Sequence, residues 1–183
     1  KERVRLVLDE CFVQFLTSGE EASMQLETGR FRYLFVLQAF TKIYAVPGIR
    51  LGYGISSDKA LLERMETVRQ PWSVSTPAQA AGLSALKEDH REEQTRQLVK
   101  SERERMEKEL ENLRIEYIPS EANFLLFNSE INWFEELKKR GILIRDCANY
   151  RGLGNGWYRL AVRLPEENDR LLECMKQVLN ERS

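Results

Sequence analysis

Lys42 and Arg50 mark the stretch of this sequence with the clearest chemical potential. Lys42 follows an apolar run and stands among small and aromatic residues, so its amine is expected to be desolvated and nucleophilic. Arg50, just before Leu-Gly-Tyr, offers a planar fork of N–H donors that matches a phosphate group. An isolated lysine of this kind is more often a surface residue with a packed stem, so the prediction depends on the whole spacing.

An acidic residue follows the first apolar run of the chain, in the sequence Leu8-Asp9-Glu10-Cys11-Phe12. The carboxyl ends of parallel strands are where α/β sheets bind ligands. A buried carboxylate at such a position needs a cationic partner. Asp9 is therefore a candidate ligand contact, and a turn-capping role is the alternative.

Two arginines near the end of the chain occupy strand-like positions in moderately apolar surroundings. Arg145 follows Ile142-Leu143-Ile144, and Arg159 lies within Trp157–Arg163. Guanidinium groups at such positions either bind anions or keep their heads in solvent while their stems pack. The residues alone leave both interpretations open.

The elements that must position these residues alternate between strands and helices. Strands are predicted at residues 4–8, 33–37, 48–55, 115–118, 123–127, 142–144 and 158–163. Helices are predicted at residues 20–30, 78–87, 92–113 and 132–140, after Ser57 and after Pro165. Ser57 and Thr76 are predicted N-caps. The helix after Ser57 is expected to have one apolar face, formed by Leu61, Leu62, Met65 and Val68.

The run Ala39-Phe40-Thr41-Lys42, followed by Gly48-Ile49-Arg50-Leu51-Gly52, resembles the Schiff-base lysine signature of the class I and II aminotransferases, which are fold-type I enzymes. The resemblance implies that Lys42 is the catalytic residue and carries pyridoxal 5′-phosphate. It implies that Arg50 grips the cofactor phosphate with help from Thr41. It also implies that Asp9 pairs with the pyridinium nitrogen of the cofactor and keeps it protonated, so that the cofactor ring can withdraw electrons from the substrate.

Two departures from the family pattern concern the cofactor site. Ala39 stands where the family has a first hydroxyl residue, which removes one hydrogen bond to the phosphate. Phe12 stands at a cofactor-contacting position where many aminotransferases have a tyrosine that contacts the ring oxygen. The loss of that hydroxyl points away from an ordinary aminotransferase.

The resemblance also implies a fold and a domain organisation. The chain would be the C-terminal half of such an enzyme, with an α/β fold. Residues 1–91 would be the C-terminal part of the large cofactor-binding domain, mainly a parallel sheet with helices. Residues 92–183 would form a small C-terminal α+β domain.

Within the family, the threonine-phosphate decarboxylases and the histidinol-phosphate aminotransferases are the groups that the chain resembles. In those groups, arginines at the positions of Arg145 and Arg159 hold the carboxylate and phosphate of a small phosphorylated substrate. Phe12 and the run Gln-Pro-Trp-Ser-Val at 70–74 favour decarboxylation of L-threonine O-3-phosphate to aminopropanol phosphate for cobalamin synthesis. Transamination of histidinol phosphate is the alternative.

A second alternative is a catalytically silent fragment, since the family's cofactor site also needs residues from its N-terminal half. Relatives are homodimers with shared active sites, so a homodimer is expected.

The charge, the apolar runs and the cysteines of the sequence argue against several kinds of binding partner. A formal net charge of -1, with acids and bases interleaved, argues against nucleic acid and against an anionic membrane. No apolar run approaches the ~20 residues that span a bilayer. Three widely spaced cysteines form no metal-type pair and predict a reduced, cytoplasmic protein without a metal site.

Overall fold

The computed structural model of the protein describes residues 4–88 and 90–182. The chain divides into two compact units, Lys1–Arg96 and Gln97–Ser183. The division falls inside the long helix Arg91–Asn112. The predicted domain boundary lies at the start of that helix, before residue 92, and stays a prediction.

Three strands form the sheet of the first unit, in the order β1 (Leu6–Asp9), β2 (Leu34–Ala39) and β3 (Gly52–Ile55). β1 and β2 run parallel, with Asp9 beside Leu37, whereas β3 runs antiparallel to β2. A Cβ at Gly52 would lie 2.8 Å from the backbone oxygen of Gln38, so glycine permits this close approach. A mainly parallel sheet was expected for the large domain. The sheet of this unit instead has one parallel and one antiparallel strand pair.

The helices of the first unit are α1 (Phe40–Ile43), α2 (Lys59–Val68) and α3 (Thr76–Ala85). The N-caps of α2 and α3 each lie one residue away from the predicted cap. Asp58, not Ser57, caps α2 by accepting the backbone N–H of Leu61. Ser75, not Thr76, caps α3 by accepting the N–H of Ala78. Both observed caps have a side-chain oxygen that accepts an unpaired backbone N–H at the start of the helix. The prediction therefore gave the right type of residue, but one position away.

The predicted apolar face of α2 is present in the sequence but is not buried in this structure. None of its residues is buried, and Met65 is 43% and Val68 is 81% exposed. The spacing of apolar residues indicates that a helix has an apolar face, but it does not indicate whether another part of the protein covers that face.

The second unit is an antiparallel sheet packed with helices. Its strands are β4 (Tyr117–Ile118), β5 (Phe124–Asn128), β6 (Arg145–Asp146) and β7 (Trp157–Ala161), in the order β4-β5-β7-β6. Its helices are most of α4 (Arg91–Asn112), α5 (Trp133–Lys139) and α6 (Pro165–Asn180). The core includes the fully buried side chains of Met106, Leu125, Phe127, Trp133, Leu160 and Met175. Antiparallel strands with segregated helices match the α+β expectation.

One predicted helix and one predicted strand do not form as expected. Residues 20–30 form two short 3₁₀ turns, Gly19–Ala22 and Leu26–Gly29, instead of one helix. Residues 142–144 form no strand, and Leu143 is 75% exposed. The strand begins only at Arg145, because Arg145 and Asp146 are the residues that pair with β7.

We expect Leu160→Ala to destabilise the second unit by about 2–5 kcal/mol, because it leaves a cavity in a close-packed core. Leu160 is 0% exposed on β7. Leu143→Ala makes the same chemical change at an exposed position and should alter the free energy of unfolding by less than about 0.5 kcal/mol. Urea unfolding followed by circular dichroism measures both values. Equal losses in the two variants would show that the core is placed wrongly.

The described residues were also searched for membrane spans and metal clusters. None of the helices at residues 4–88 and 90–182 is both long and apolar enough to cross a membrane. Over the same residues, no three acidic, cysteine or histidine side chains gather as a metal site would require. All three cysteines are free thiols.

Candidate active site

Asp9 ends β1 at the carboxyl edge of the parallel pair. Its Oδ1 accepts the backbone N–H of Cys11 at 3.0 Å, which turns the chain into a 3₁₀ turn at Val13–Phe15. The next residue, Glu10, donates its N–H to the carbonyl of Leu37 on β2. Asp9 therefore caps the turn and also keeps its carboxylate exposed at the end of the strand.

The surroundings of Asp9 favour its anionic form. The Cys11 thiol and backbone N–H both hydrogen-bond to the carboxylate, and these bonds lower the pKa of Asp9 below its usual range. The positive charge of Lys42 lowers it further. Asp9 is thus ionised at neutral pH and electrostatically coupled to Lys42.

Lys42 lies on the single turn α1, which follows β2 directly. Its Nζ lies 5.3 Å from the centroid of the Phe12 ring, a cation–π contact. Asp9, Phe12 and Lys42 are therefore brought together, although they come from two strand ends. The expected desolvation of Lys42 is wrong for this chain, since the side chain is exposed. An exposed amine at this strand end is accessible to a ligand.

Thr41 and Arg50 flank this group. Thr41 is buried on α1, and Arg50 is exposed at the end of the loop that follows α1. The N–H of Phe40 donates to the carbonyl of Leu51 at 3.2 Å, which fixes the end of that loop against the start of α1. Arg50 has φ +56°, a left-handed conformation that costs energy for a residue with a Cβ and that is concentrated at functional positions.

Arg145 and Arg159 are direct cross-strand partners in the second unit. They are paired Cα to Cα on the antiparallel strands β6 and β7, so both side chains leave the same face of the sheet. The Arg159 guanidinium lies 5.1 Å from the ring centroid of Phe124, and the Arg145 guanidinium lies 5.4 Å from that of Tyr150. Arg145 also donates to Asn149 Oδ1 at 3.0 Å.

Neither arginine of this pair forms an ion pair within the described part of the chain. Among residues 4–88 and 90–182, no carboxylate lies within ion-pair distance of either guanidinium. Like charges placed directly opposite each other destabilise a sheet. An anion bound between them would relieve that repulsion, so the arrangement suits a substrate with negatively charged groups. The arginine pair and the Asp9–Lys42 group lie in different compact units.

Glu10 is a structural contributor to this region that sequence reasoning missed. The carboxylate is 8% exposed and accepts from Ser23 Oγ at 2.6 Å, Met24 N at 2.9 Å and Gln38 Nε2 at 3.0 Å. It therefore ties the strand end that presents Asp9 to β2, which leads to Lys42. The only sequence signal was a second acid beside Asp9, and its partners are not predictable locally.

We expect Cys11 to react slowly with alkylating reagents. Burial is the main cause that raises the pKa of this thiol from 9.0 to about 11, and Asp9 raises it further by hydrogen bonding and charge. At pH 8, alkylation by iodoacetamide should be on the order of 10- to 100-fold slower than in the urea-unfolded chain, because only the thiolate reacts. Peptide mass spectrometry gives the rate at each cysteine.

Asp9→Asn should speed Cys11 alkylation several-fold by removing the negative charge. Asp146→Asn, a similar change at the end of β6, serves as the control and should leave the rate unchanged. A Cys11 rate equal to that of the unfolded chain would contradict the placement of Cys11 against Asp9.

Comparisons with known proteins identify the family of the chain. The sequence profile described as aminotransferase class I and II matches residues 1–174. The chain is 37% identical to a threonine-phosphate decarboxylase of Salmonella typhimurium over 96% of this chain and 49% of that protein. It is also 37% identical to histidinol-phosphate aminotransferase 1 of Archaeoglobus fulgidus, over 95% of this chain and 52% of that protein.

A solved structure shows the same fold. The histidinol-phosphate aminotransferase from Clostridium acetobutylicum superposes with a TM-score of 0.91 at 31% identity, covering 97% of this chain and 55% of that one. The chain thus spans about half the length of the relatives that it matches.

Pyridoxal phosphate is the cofactor of this family. The residues present fit such a group. Asp9 supplies an anion for a ring cation, Lys42 supplies an accessible amine, and Arg50 supplies a guanidinium that forms no ion pair within the described residues. On its sequence profile, its relatives and its fold, the chain belongs to the aminotransferase class I and II family.

Proposed function

We propose that the full-length enzyme containing this chain decarboxylates L-threonine O-3-phosphate to aminopropanol phosphate, a step of cobalamin biosynthesis. The observation that carries the proposal is the arginine pair Arg145–Arg159, which lies on one sheet face and forms no ion pair with the carboxylates at residues 4–88 and 90–182. Threonine phosphate presents a carboxylate and a phosphate, which are two anions for two guanidinium groups. The identity to a threonine-phosphate decarboxylase supports this choice.

The first unit would hold the cofactor. Lys42 would carry it covalently, Asp9 would pair with its ring nitrogen, and Arg50 and Thr41 would hold its phosphate. Phe12, already in contact with Lys42, would lie against it. When bound, pyridoxal phosphate supplies an electron-withdrawing ring that stabilises negative charge on the substrate carbon.

Orientation by the arginine pair would select the reaction. Arg159 and Arg145 would fix the substrate through its two anionic groups, and a fixed orientation decides which bond at the α-carbon is cleaved. In decarboxylation the bond from the α-carbon to the carboxyl carbon breaks, CO2 leaves, and a proton takes its place. Lys42 has an accessible amine and is the group proposed to deliver that proton.

Transamination of histidinol phosphate is the second candidate. The identity to the Archaeoglobus fulgidus enzyme favours it as much as the identity to the decarboxylase favours the first. Phe12 supports decarboxylation, because it lacks the hydroxyl that many aminotransferases have at this position.

The deciding experiment gives the full-length enzyme both substrates. We expect CO2 release from threonine phosphate and no keto product from histidinol phosphate. Amino-group transfer from histidinol phosphate without CO2 would replace the first proposal with the second. No turnover of either substrate, and no Lys42-dependent cofactor signal, would favour a catalytically silent chain.

We also propose that the enzyme acts as a homodimer in the cytoplasm. Exposed apolar side chains on the first unit, including Val68 at 81% and Trp72 at 96%, support an association surface. Three free thiols agree with a reducing compartment. Light scattering on the full-length enzyme measures the mass, and a monomer at micromolar concentration would exclude the dimer.

A further inference from the structure

Arg145 is held in place by neutral groups. Its Nη2 donates to Asn149 Oδ1 at 3.0 Å, and its guanidinium lies 5.4 Å from the ring centroid of Tyr150. An amide oxygen accepts a hydrogen bond without carrying a negative charge, and an aromatic face attracts a cation through its quadrupole. Both contacts therefore orient the guanidinium and leave its positive charge in place.

Other arginines of the second unit are held by carboxylates instead. Examples are the ion pairs Arg105–Glu102, Arg140–Glu136 and Arg163–Glu167. Arg145 forms no such pair with a carboxylate in the described ranges, although Asp146 is its neighbour in the chain. The Asp146 carboxylate accepts the backbone N–H of Ala148 at 2.8 Å. Asn149 thus occupies the position from which an acidic side chain would neutralise Arg145.

The turn that presents Asn149 is anchored to the sheet. The N–H of Tyr150 donates to the carbonyl of Cys147 at 2.9 Å, which closes a turn around Asn149. Cys147 itself is 1% exposed, and its N–H donates to the carbonyl of Trp157 on β7 at 2.9 Å. Because this backbone is already fixed by the sheet, Asn149 orients Arg145 at a small cost in conformational entropy.

We propose that Asn149 is a positioning residue, which holds Arg145 in the orientation that binds an anionic group of the substrate and, being neutral, leaves Arg145 available to that group. The inference rests on the anion-binding role proposed above for the arginine pair. Asn149→Asp would keep the contact with Arg145 but would place an anion there that competes with the substrate. The absence of charge at position 149 is therefore what favours a phosphorylated substrate.

The kinetic test compares two variants of the full-length holoenzyme, with threonine phosphate and histidinol phosphate each offered as substrate. Asn149→Asp should raise KM for the substrate that is turned over at least about tenfold and leave kcat within about threefold, because a competing anion weakens ground-state and transition-state binding alike. Asn149→Ala removes one hydrogen bond and adds no anion, so KM should rise by only about two- to fivefold. Asn155→Asp makes the same change at an exposed position of the same loop and should leave KM within about twofold.

The order of the two variants separates this role from a merely structural one. Asn149→Asp keeps an oxygen for Arg145 and adds an opposite charge, so its melting temperature should not fall below that of the unmodified enzyme. A structural role predicts that this variant, which keeps the contact, has a lower KM than Asn149→Ala. That order, or an equal rise of KM in Asn155→Asp, would overturn the proposal.

A binding measurement keeps the inference independent of the reaction. Titration calorimetry of the holoenzyme with inorganic phosphate, at constant ionic strength, should give a Kd at least about tenfold higher in Asn149→Asp and unchanged in Asn155→Asp. If neither substrate is turned over but this pattern holds, the proposed reaction is wrong and the role of Asn149 stands. Normal decarboxylation with equal phosphate affinity in Asn149→Asp would overturn the role of Asn149 alone. An unmodified holoenzyme that does not bind phosphate would overturn it as well.

Discussion

Replacing Lys42 with alanine is expected to abolish the visible absorbance band that forms when pyridoxal phosphate is added to the full-length enzyme. The amine is the only proposed covalent attachment and also the proposed proton carrier, so kcat should fall by at least about 10³-fold. Lys42→Arg should lose the band as well, because a guanidinium keeps the charge but is not a nucleophile. Spectrophotometric titration with the cofactor measures the band.

A matched lysine provides the control. Lys59, an exposed residue at the first position of α2, can be changed to alanine without touching the Asp9–Lys42 group. Lys59→Ala should retain both the band and the activity. Borohydride reduction and peptide mass spectrometry should then place the cofactor on the peptide that contains Lys42. A band of full strength in Lys42→Ala would refute the proposed attachment.

Replacing Arg159 with alanine is expected to lower kcat/KM for threonine phosphate by roughly 10²- to 10⁴-fold. Hydrogen bonds to charged groups are worth about 1.5–3 kcal/mol each, and a guanidinium makes two to one anion. Arg159→Lys should recover part of the loss, since lysine restores the charge but not the planar fork. Steady-state kinetics on the full-length enzyme gives the values.

The neighbouring arginines separate a binding role from a general effect of charge. Arg145→Ala should also reduce kcat/KM, because Arg145 lies directly opposite Arg159. Arg163 instead pairs with Glu167 at 2.8 Å, so Arg163→Ala should leave kcat/KM within about twofold of the unmodified enzyme. If Arg163→Ala were as harmful as Arg159→Ala, the arginine pair would not be the substrate anchor. Because the melting temperature reports folding separately, a defect in stability would be recognised.

Much of the fold was predictable, since its strongest signals are local. Pro165 opens α6 as predicted, and Leu171, Leu172, Met175 and Val178 on its inward face are buried, whereas Leu179 is half-buried. The narrow apolar stripe of α4 is likewise buried at Val99, Met106 and Leu110. Helices of this kind can be predicted because periodicity and capping are set within a few turns of chain.

The predictions failed where distant residues decide the outcome. The apolar face of α2 is exposed because no described element covers it. The strand predicted at 142–144 is displaced to Arg145–Asp146, because pairing with β7 selects the residues that become strand. An apolar run of three residues contains no information about its partner.

The sequence by itself determined which side chains have chemistry to offer, Asp9, Lys42 and Arg50 among them, because reactive groups and their spacing are local properties. Only the tertiary structure decided that Lys42 lies over Phe12 and is electrostatically coupled to Asp9, that Arg145 faces Arg159, and that Gln38 donates to Glu10. Register, burial and electrostatic environment arise from residues far apart in the chain, so they exist only once the strands have paired.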